Sequence, residues 1–218
     1  MSDEPVTPAD TAARWIVQLR STDIGDTCWS EAVEGLQAIG FYAVPALIGA
    51  WADDDAAVRA GARKALQQIG PIVLNDVIDA LQHDQPMVRH EAATWLGGPA
   101  SQRRRLITDI IPALIEALRD TESSVRLRAV QALCLAGENA QAAVPALIET
   151  LKDPESYVRE WTAFALEAVG PSAATAVPAL TEALLDDDAG VRDAASQALD
   201  RILSAENRGD GEQGGNSR

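Results

Sequence analysis

The chain has 218 residues and a formal net charge of −15, with 47% hydrophobic and 4% aromatic residues. This apolar content supports a continuous core in one large domain and excludes disorder of the whole chain. Asp and Arg residues interrupt every apolar run before it reaches the roughly 20 residues of a membrane span, and the acidic N-terminus differs from a secretion signal. We therefore expect a cytoplasmic protein. The negative charge disfavours nucleic acid and anionic membranes as partners, because both attract cationic surfaces.

The first predicted elements are two helices that end before Gly40. Residues from about 8 to 20 form the first helix, in which Trp15 and Leu19 are apolar. The second helix carries Leu36 on its apolar face, and Gly40 ends it.

From residue 44 onward the sequence repeats. Segments of the form Val/Ile-Pro-Ala-Leu begin at positions 44, 111, 144 and 177, and an arginine preceded by valine stands fourteen residues after each proline. A fifth Val-Arg pair lies where Asn75 replaces the proline. The five arginines, from which positions within a repeat are numbered below, are Arg59, Arg89, Arg126, Arg159 and Arg192.

Each repeat predicts two helices. The proline suits the first turn of the first helix, where no backbone N–H is needed. The Asp six residues before the arginine and the small or polar residues next to it suit the cap of the second helix. Apolar residues at positions −1, +3, +7 and +10 form one face of the second helix, and a glycine such as Gly70 ends it. With the first two helices, the sequence predicts an all-α, right-handed α-solenoid of about six antiparallel helix pairs.

The Val/Ile-Pro-Ala-Leu starts, the Asp-x5-Arg spacing and the Ala-Leu-x-x-Ile/Val-Gly ends resemble HEAT repeats, in particular the short bacterial and archaeal type grouped with phycobilisome-lyase-like repeats. The resemblance implies a ladder of hydrogen bonds between Asp and Arg side chains within and between repeats. His83 replaces the Asp of one repeat, and Asp84 follows it, so the ladder is expected to shift by one residue there. The ladder residues are Asp53, Arg59, Arg89, Asp120, Arg126, Asp153, Arg159, Asp186 and Arg192.

The resemblance also implies a protein-interaction scaffold rather than an enzyme, with another protein or peptide as partner. His90-Glu91 is similar to one His-Glu motif of deoxyhypusine hydroxylase, a di-iron HEAT-repeat enzyme that needs four such pairs. Because the other repeats lack the motif, we expect a solvent-facing His90, no metal and no cofactor. The alternative function is an enzyme accessory or lyase-like protein, related to phycobilin lyases or to that hydroxylase. A DNA glycosylase of HEAT-like fold is disfavoured, since it requires a basic face.

The predicted binding surface is the concave face of the second helices, at positions +1, +4, +5 and +8, which point away from the core positions. We expect it to be basic at one end, apolar in the middle and acidic at the other. Contiguous apolar surface on a soluble protein commonly marks an interaction site. The candidate partner-binding residues are Arg63, Lys64, His90, Leu127, Val130, Gln131, Cys134, Glu160, Phe164 and Glu167.

The sequence also predicts the bounds of the solenoid, the role of a basic run and the oligomeric state. Residues 1–7 are expected to be a flexible N-terminus, residues 8–204 the solenoid, and residues 205–218 a disordered acidic and Gly-rich tail. The basic run from Arg103 to Arg105 is either a solvated loop or a docking point for an acidic partner. We expect a monomer, and the acidic, lysine-poor composition suggests a halophilic source.

Overall fold

The computed structural model describes residues 7–20, 24–98 and 107–209, and every regular element in these ranges is helical. The helices form an all-α repeat solenoid, as the sequence predicts. The chain divides into two compact units, Met1–Leu96 and Gly97–Arg218.

The N-terminal unit contains three consecutive helix pairs in its described residues. The first helix begins and ends where the sequence predicts, and it packs on the second helices of the first two pairs. A Cβ on Gly61 would lie 2.6 Å from the methyl carbons of Leu19, so a larger residue there would displace the Leu19 side chain. The pairs are α1 (Pro8–Arg20) with α2 (Thr27–Ile39), α3 (Val44–Gly49) with α4 (Ala56–Ile69), and α5 (Leu74–Ala80) with α6 (Pro86–Leu96).

The C-terminal unit also contains three helix pairs in its described residues. Its second helices lie side by side, and the middle one packs against both of the others. Leu133 and Leu166, at position +7, are fully buried in the core. The pairs are α7 (Ile107–Ala117) with α8 (Ser123–Ala136), α9 (Val144–Thr150) with α10 (Ser156–Val169), and α11 (Val177–Ala183) with α12 (Ala189–Gly209).

The residues that begin and end the helices agree with the prediction, with two differences. A glycine with positive φ ends α2, α4, α8 and α10, which confirms the predicted caps. Proline lies in the first turn of α3, α9 and α11, but Pro112 is inside α7, because this helix begins five residues before it. The repeated Asp does not cap the second helix. At α4 the cap is Asp55, whose Oδ1 accepts the N–H of Ala57, whereas Asp53 folds the preceding turn by accepting the N–H of Asp55.

Two helical runs contradict the expectation that nothing is long and apolar enough to cross a membrane. They are Thr27–Ala52 and Ser156–Ala183, which by length and composition alone are long and apolar enough to cross a membrane. Both runs join consecutive helices of the solenoid through a glycine with φ of 66° or 71°, so neither is one uninterrupted α-helix. Both runs contain polar residues among the apolar ones, so the sequence search for unbroken apolar runs missed them.

The basic run and parts of both chain ends lie outside the described residues. Residues 1–6 and the run from Arg103 to Arg105 lie outside them, as do residues 210–218. Helix α12 continues to Gly209, five residues into the segment predicted as a tail.

Candidate functional site

Two arginines of the C-terminal unit each join two repeats through a carboxylate. The guanidinium of Arg126 donates to both carboxylate oxygens of Asp153, with Nε–Oδ2 at 2.6 Å and Nη2–Oδ1 at 2.9 Å. Arg159 holds Asp186 in the same way, with both distances 2.8 Å. Such two-point pairs fix both the distance and the angle between neighbouring repeats.

The same side chains also hold the loop inside each repeat. The Nη1 of Arg159 donates to the backbone carbonyls of Asp153 and Pro154 at 2.8 and 3.1 Å. Asp153 in turn accepts the backbone N–H of Glu155 at 3.0 Å. Each Asp and Arg therefore serves its own loop and the adjacent repeat at once. This arrangement explains why the pair recurs and why it is not free to bind a partner.

In the N-terminal unit the ladder is interrupted twice, and residues outside the repeated Asp and Arg positions form the ion pairs there. Trp29 occupies the arginine position of the first repeat, and Arg20 from α1 pairs with Asp53 instead. Where His83 replaces Asp, Arg59 pairs with Glu91 on α6, at 3.7 Å.

The ladder does not shift to Asp84, contrary to the sequence prediction. His83 stays in register, because its Nδ1 accepts the N–H of Gln85 at 3.1 Å, as the Asp carboxylates do elsewhere. Arg89 still donates to the carbonyls of His83 and Asp84, at 2.9 and 3.1 Å.

The His-Glu sequence on α6 has a structural role for its carboxylate. Glu91 is buried and pairs with both Arg59 and Arg63, the latter at 2.5 Å. His90 is half-buried rather than solvent-facing. Among the residues that the structure describes, no three His, Cys, Asp or Glu side chains are grouped so that they could hold a metal ion.

The basic end of the predicted groove is also altered by these contacts. Arg63 is already paired with Glu91, and the exposed Lys64 lies over the ring of Trp29, with Nζ 4.9 Å from the ring centroid. The indole of Trp29 donates to the carbonyl of Ala57 at 3.2 Å. These two cations therefore stabilise their own unit.

The second helices of the C-terminal unit present a different surface. We call it the second-helix face, and it comprises the residues at positions +1, +2, +5, +8 and +9 of α8, α10 and α12 that are half-buried or exposed. They are Leu127, Arg128, Gln131, Cys134, Leu135, Glu160, Trp161, Phe164, Glu167, Ala168, Asp193, Gln197, Asp200 and Arg201.

An aromatic pair lies in the middle of the second-helix face. Trp161 and Phe164 are half-buried on α10, with ring centroids 5.8 Å apart at an angle of 78°. Leu135 on α8 is 64% exposed. Trp161 and Leu135 escaped the sequence prediction, because positions +2 and +9 were not assigned to the groove. Both positions directly follow assigned ones, +1 and +8, so their place on the helix could have indicated that they belong to the same surface.

Val130 was wrongly assigned to this surface. Its exposed fraction is 0%, as is that of Ala163, which has the same position +4 on α10. Because adjacent second helices pack side by side, position +4 is covered by the neighbouring helix. The surface is therefore displaced from +4 toward +2 and +9.

Acidic side chains flank the aromatic pair. Glu160 and Glu167 lie one turn before and one turn after Phe164 on α10, and Asp193 and Asp200 hold the same positions, +1 and +8, on α12. Burial raises the pKa of the Cys134 thiol, and the Glu167 carboxylate raises it further, which places that charge near α8.

The repeats of this chain match those of a known protein family. The HEAT-repeat family matches residues 29–97, 74–140 and 111–200. The chain belongs to the HEAT-repeat family. No match to a curated protein was found.

Solved repeat structures are similar to this HEAT-repeat chain along most of its length. Two engineered proteins share 24% and 25% identity, each with a TM-score of 0.59, and cover 88% and 94% of this chain and 96% and 95% of their own. A designed armadillo repeat protein in complex with the peptide (KR)4 shares 19% identity and a TM-score of 0.58, covering 87% of this chain and 98% of its own. At this identity the likeness concerns the fold.

The ladder predicts a pH dependence of stability. Hydrogen bonds from Arg159 hold the pKa of the Asp186 carboxyl below its ordinary value of 3.8. Because the unfolded chain binds the proton more readily, the pair's contribution is complete above pH 3.8 and is lost as the pH falls through the lower, folded pKa. We expect Asp186→Asn to flatten the acid limb of the unfolding free energy, measured by urea denaturation between about pH 6 and pH 2.

Asp187→Asn is the matched control, because Asp187 is exposed and its carboxylate forms no ion pair within the described residues. Equal flattening by both substitutions would contradict the assignment to Asp186.

Proposed function

We propose that this HEAT-repeat protein is a non-catalytic scaffold that binds an extended segment of another protein on the second-helix face. The half-buried Trp161–Phe164 pair carries the proposal, since aromatic side chains on a solvated face commonly anchor protein partners. HEAT and armadillo repeats generally serve as protein-interaction scaffolds, and one designed neighbour binds a peptide.

The location of the aromatic pair agrees with an interaction role. Trp161 and Phe164 lie on the second helix of the central pair of the C-terminal unit, with second helices on both sides. Cys134 on α8 lies close to them, with its Sγ 3.7 Å from the carbonyl oxygen of Phe164. A bound segment that crosses from α8 to α12 would therefore cover the pair.

Several finer properties belong to the same proposal. We propose a cytoplasmic monomer with repeats of the phycobilisome-lyase-like subtype and no cofactor. The repeat motifs quoted above support the subtype. The pairing of Glu91 with Arg59 and Arg63 supports a structural rather than metal-binding use of this carboxylate.

The test is a substitution at Phe164. Peptides are first selected from a displayed random library against the wild-type protein, and their dissociation constants are measured by fluorescence anisotropy. We expect Phe164→Ala to weaken binding by about 1–3 kcal/mol, because the aromatic anchor is lost. The unfolding free energy should fall by less than about 1 kcal/mol, because the ring is only half-buried.

Leu185→Ala is the matched control, because Leu185 is 87% exposed and lies off the second-helix face, between α11 and α12. It should leave the affinity unchanged. If Phe164→Ala instead destabilised the protein as severely as Leu133→Ala, Phe164 would be a core residue and the proposed surface would be wrong.

A further inference from the structure

The charges around the aromatic pair are arranged in two rows. Glu160 and Asp193 at position +1 form one row, and Glu167 and Asp200 at position +8 form the other. Seven residues of helix separate the rows by about 10.5 Å along the helix axes. Phe164, at position +5, lies between them.

None of these four carboxylates is engaged within the part of the chain that the structure describes. The ladder carboxylates Asp153 and Asp186 pair with arginines, whereas Glu160, Glu167, Asp193 and Asp200 form no ion pair or hydrogen bond there. Unpaired carboxylates that flank a partly exposed aromatic pair produce a local negative potential, which attracts cationic groups.

The cations of the same face offset this charge only in part, because its four carboxylates outnumber Arg128 and Arg201. Arg128 donates to the side-chain Oε1 of Gln131 on its own helix, at 2.9 Å. The Nε of Arg201 lies 3.7 Å from the position of a Cβ on Gly170, at the C-terminal end of α10. Arg201 thus lies beside the C-terminal end of α10, which attracts a cation.

The first turn of α12 adds a further carboxylate. A Cβ on Gly190 would lie 2.9 Å from Oε1 of Glu160 and 3.2 Å from Oδ1 of Asp188. Asp188 is occupied as a cap, since it accepts the N–H of Gly190 at 2.8 Å. The Glu160 carboxylate thus lies next to a second negative charge, and glycine leaves the space for it.

We propose that the partner segment is a cationic peptide, rich in Arg and Lys, that lies extended across α8, α10 and α12 between the two carboxylate rows. This inference rests on the proposed function and adds the chemistry of the partner. Successive side chains of an extended peptide point to opposite sides, so alternate cations reach the +1 row and the +8 row. The aromatic pair between the rows offers ring faces to Arg or Lys.

The length of the segment follows from the helix spacing. Crossing from α8 to α12 spans two interhelix distances of about 9 Å each, which an extended chain covers with about six residues. The probes are therefore fluorescein-labelled peptides of about eight residues, each with one central Leu. Their other residues are Lys and Arg in the first probe, Ser and Gly in the second, and Glu and Asp in the third.

The experiment measures anisotropy of each probe with wild-type protein and with two charge variants. Glu160→Gln with Glu167→Gln removes two carboxylates from the second-helix face. Glu149→Gln with Glu182→Gln removes two exposed carboxylates from the first helices α9 and α11, and so controls for net charge. We expect the first variant to weaken binding of the Lys/Arg probe about tenfold and the control variant less than about twofold.

The outcomes separate the partner chemistry from the surface. Equal weakening by both charge variants would show a bulk charge effect and overturn the cationic-peptide inference. Tighter binding of the neutral or acidic probe that Phe164→Ala abolishes would also overturn it, while the proposed surface would stand. Binding of the Lys/Arg probe that is insensitive both to Phe164→Ala and to the Glu160 and Glu167 pair would overturn the inference and the surface together.

Discussion

Leu133→Ala is expected to lower the free energy of unfolding by about 2–5 kcal/mol, because it removes a fully buried side chain at position +7 of α8. In a solenoid each repeat is stabilised partly by its neighbours, so a cavity in α8 also weakens its packing on α10. Urea denaturation monitored by circular dichroism measures the effect.

Leu135→Ala provides the control on the same helix. Leu135 is 64% exposed, so its truncation should change stability by less than about 0.5 kcal/mol. A loss of that size or less at Leu133 would contradict the repeat register, since the two leucines would then be equivalent.

Asp153→Ala is expected to cost about 3 kcal/mol, because it leaves the guanidinium of Arg126 unpaired. The side chains of this pair are only 12% and 5% exposed, so water replaces the lost carboxylate poorly. An arginine stays charged at any working pH, so Arg126 cannot lose its charge to relieve the loss of its partner.

The exposed pair between Arg119 and Glu116 is the control for this prediction. It joins two side chains that are mostly exposed, at 3.5 Å, and Glu116→Ala should cost less than about 1 kcal/mol. A double-mutant cycle between Arg126 and Asp153 isolates their coupling energy. Coupling no larger than that of the exposed pair would contradict the structural role of the ladder.

The helices and their phase were predictable because both depend on local sequence. The period of the apolar residues, the glycine ends and the first-turn prolines are properties of single repeats. The apolar residues alone placed α1 at its observed bounds, and the glycine ends are confirmed at α2, α4, α8 and α10. The buried position +7, represented by Leu133, follows from the same periodicity.

The remainder depends on contacts between repeats. Position +4 looks solvent-facing from one helix alone, and only the adjacent second helix buries Val130. Arg20 and Glu91, which form ion pairs where the ladder is interrupted, do not occupy the repeated Asp and Arg positions. Arg20 lies 33 residues before Asp53, and Glu91 lies 28 residues after Arg63. No regularity of spacing could identify them.

The central claim is that a cationic peptide lies on the second-helix face, and photo-crosslinking measures its position directly. The Lys/Arg probe carries a photoreactive group in place of its central Leu, and mass spectrometry locates the crosslinked residues. We predict crosslinks in α8, α10 and α12, concentrated around Phe164. Crosslinks confined to the first helices α9 and α11, or to the N-terminal unit, would contradict the account.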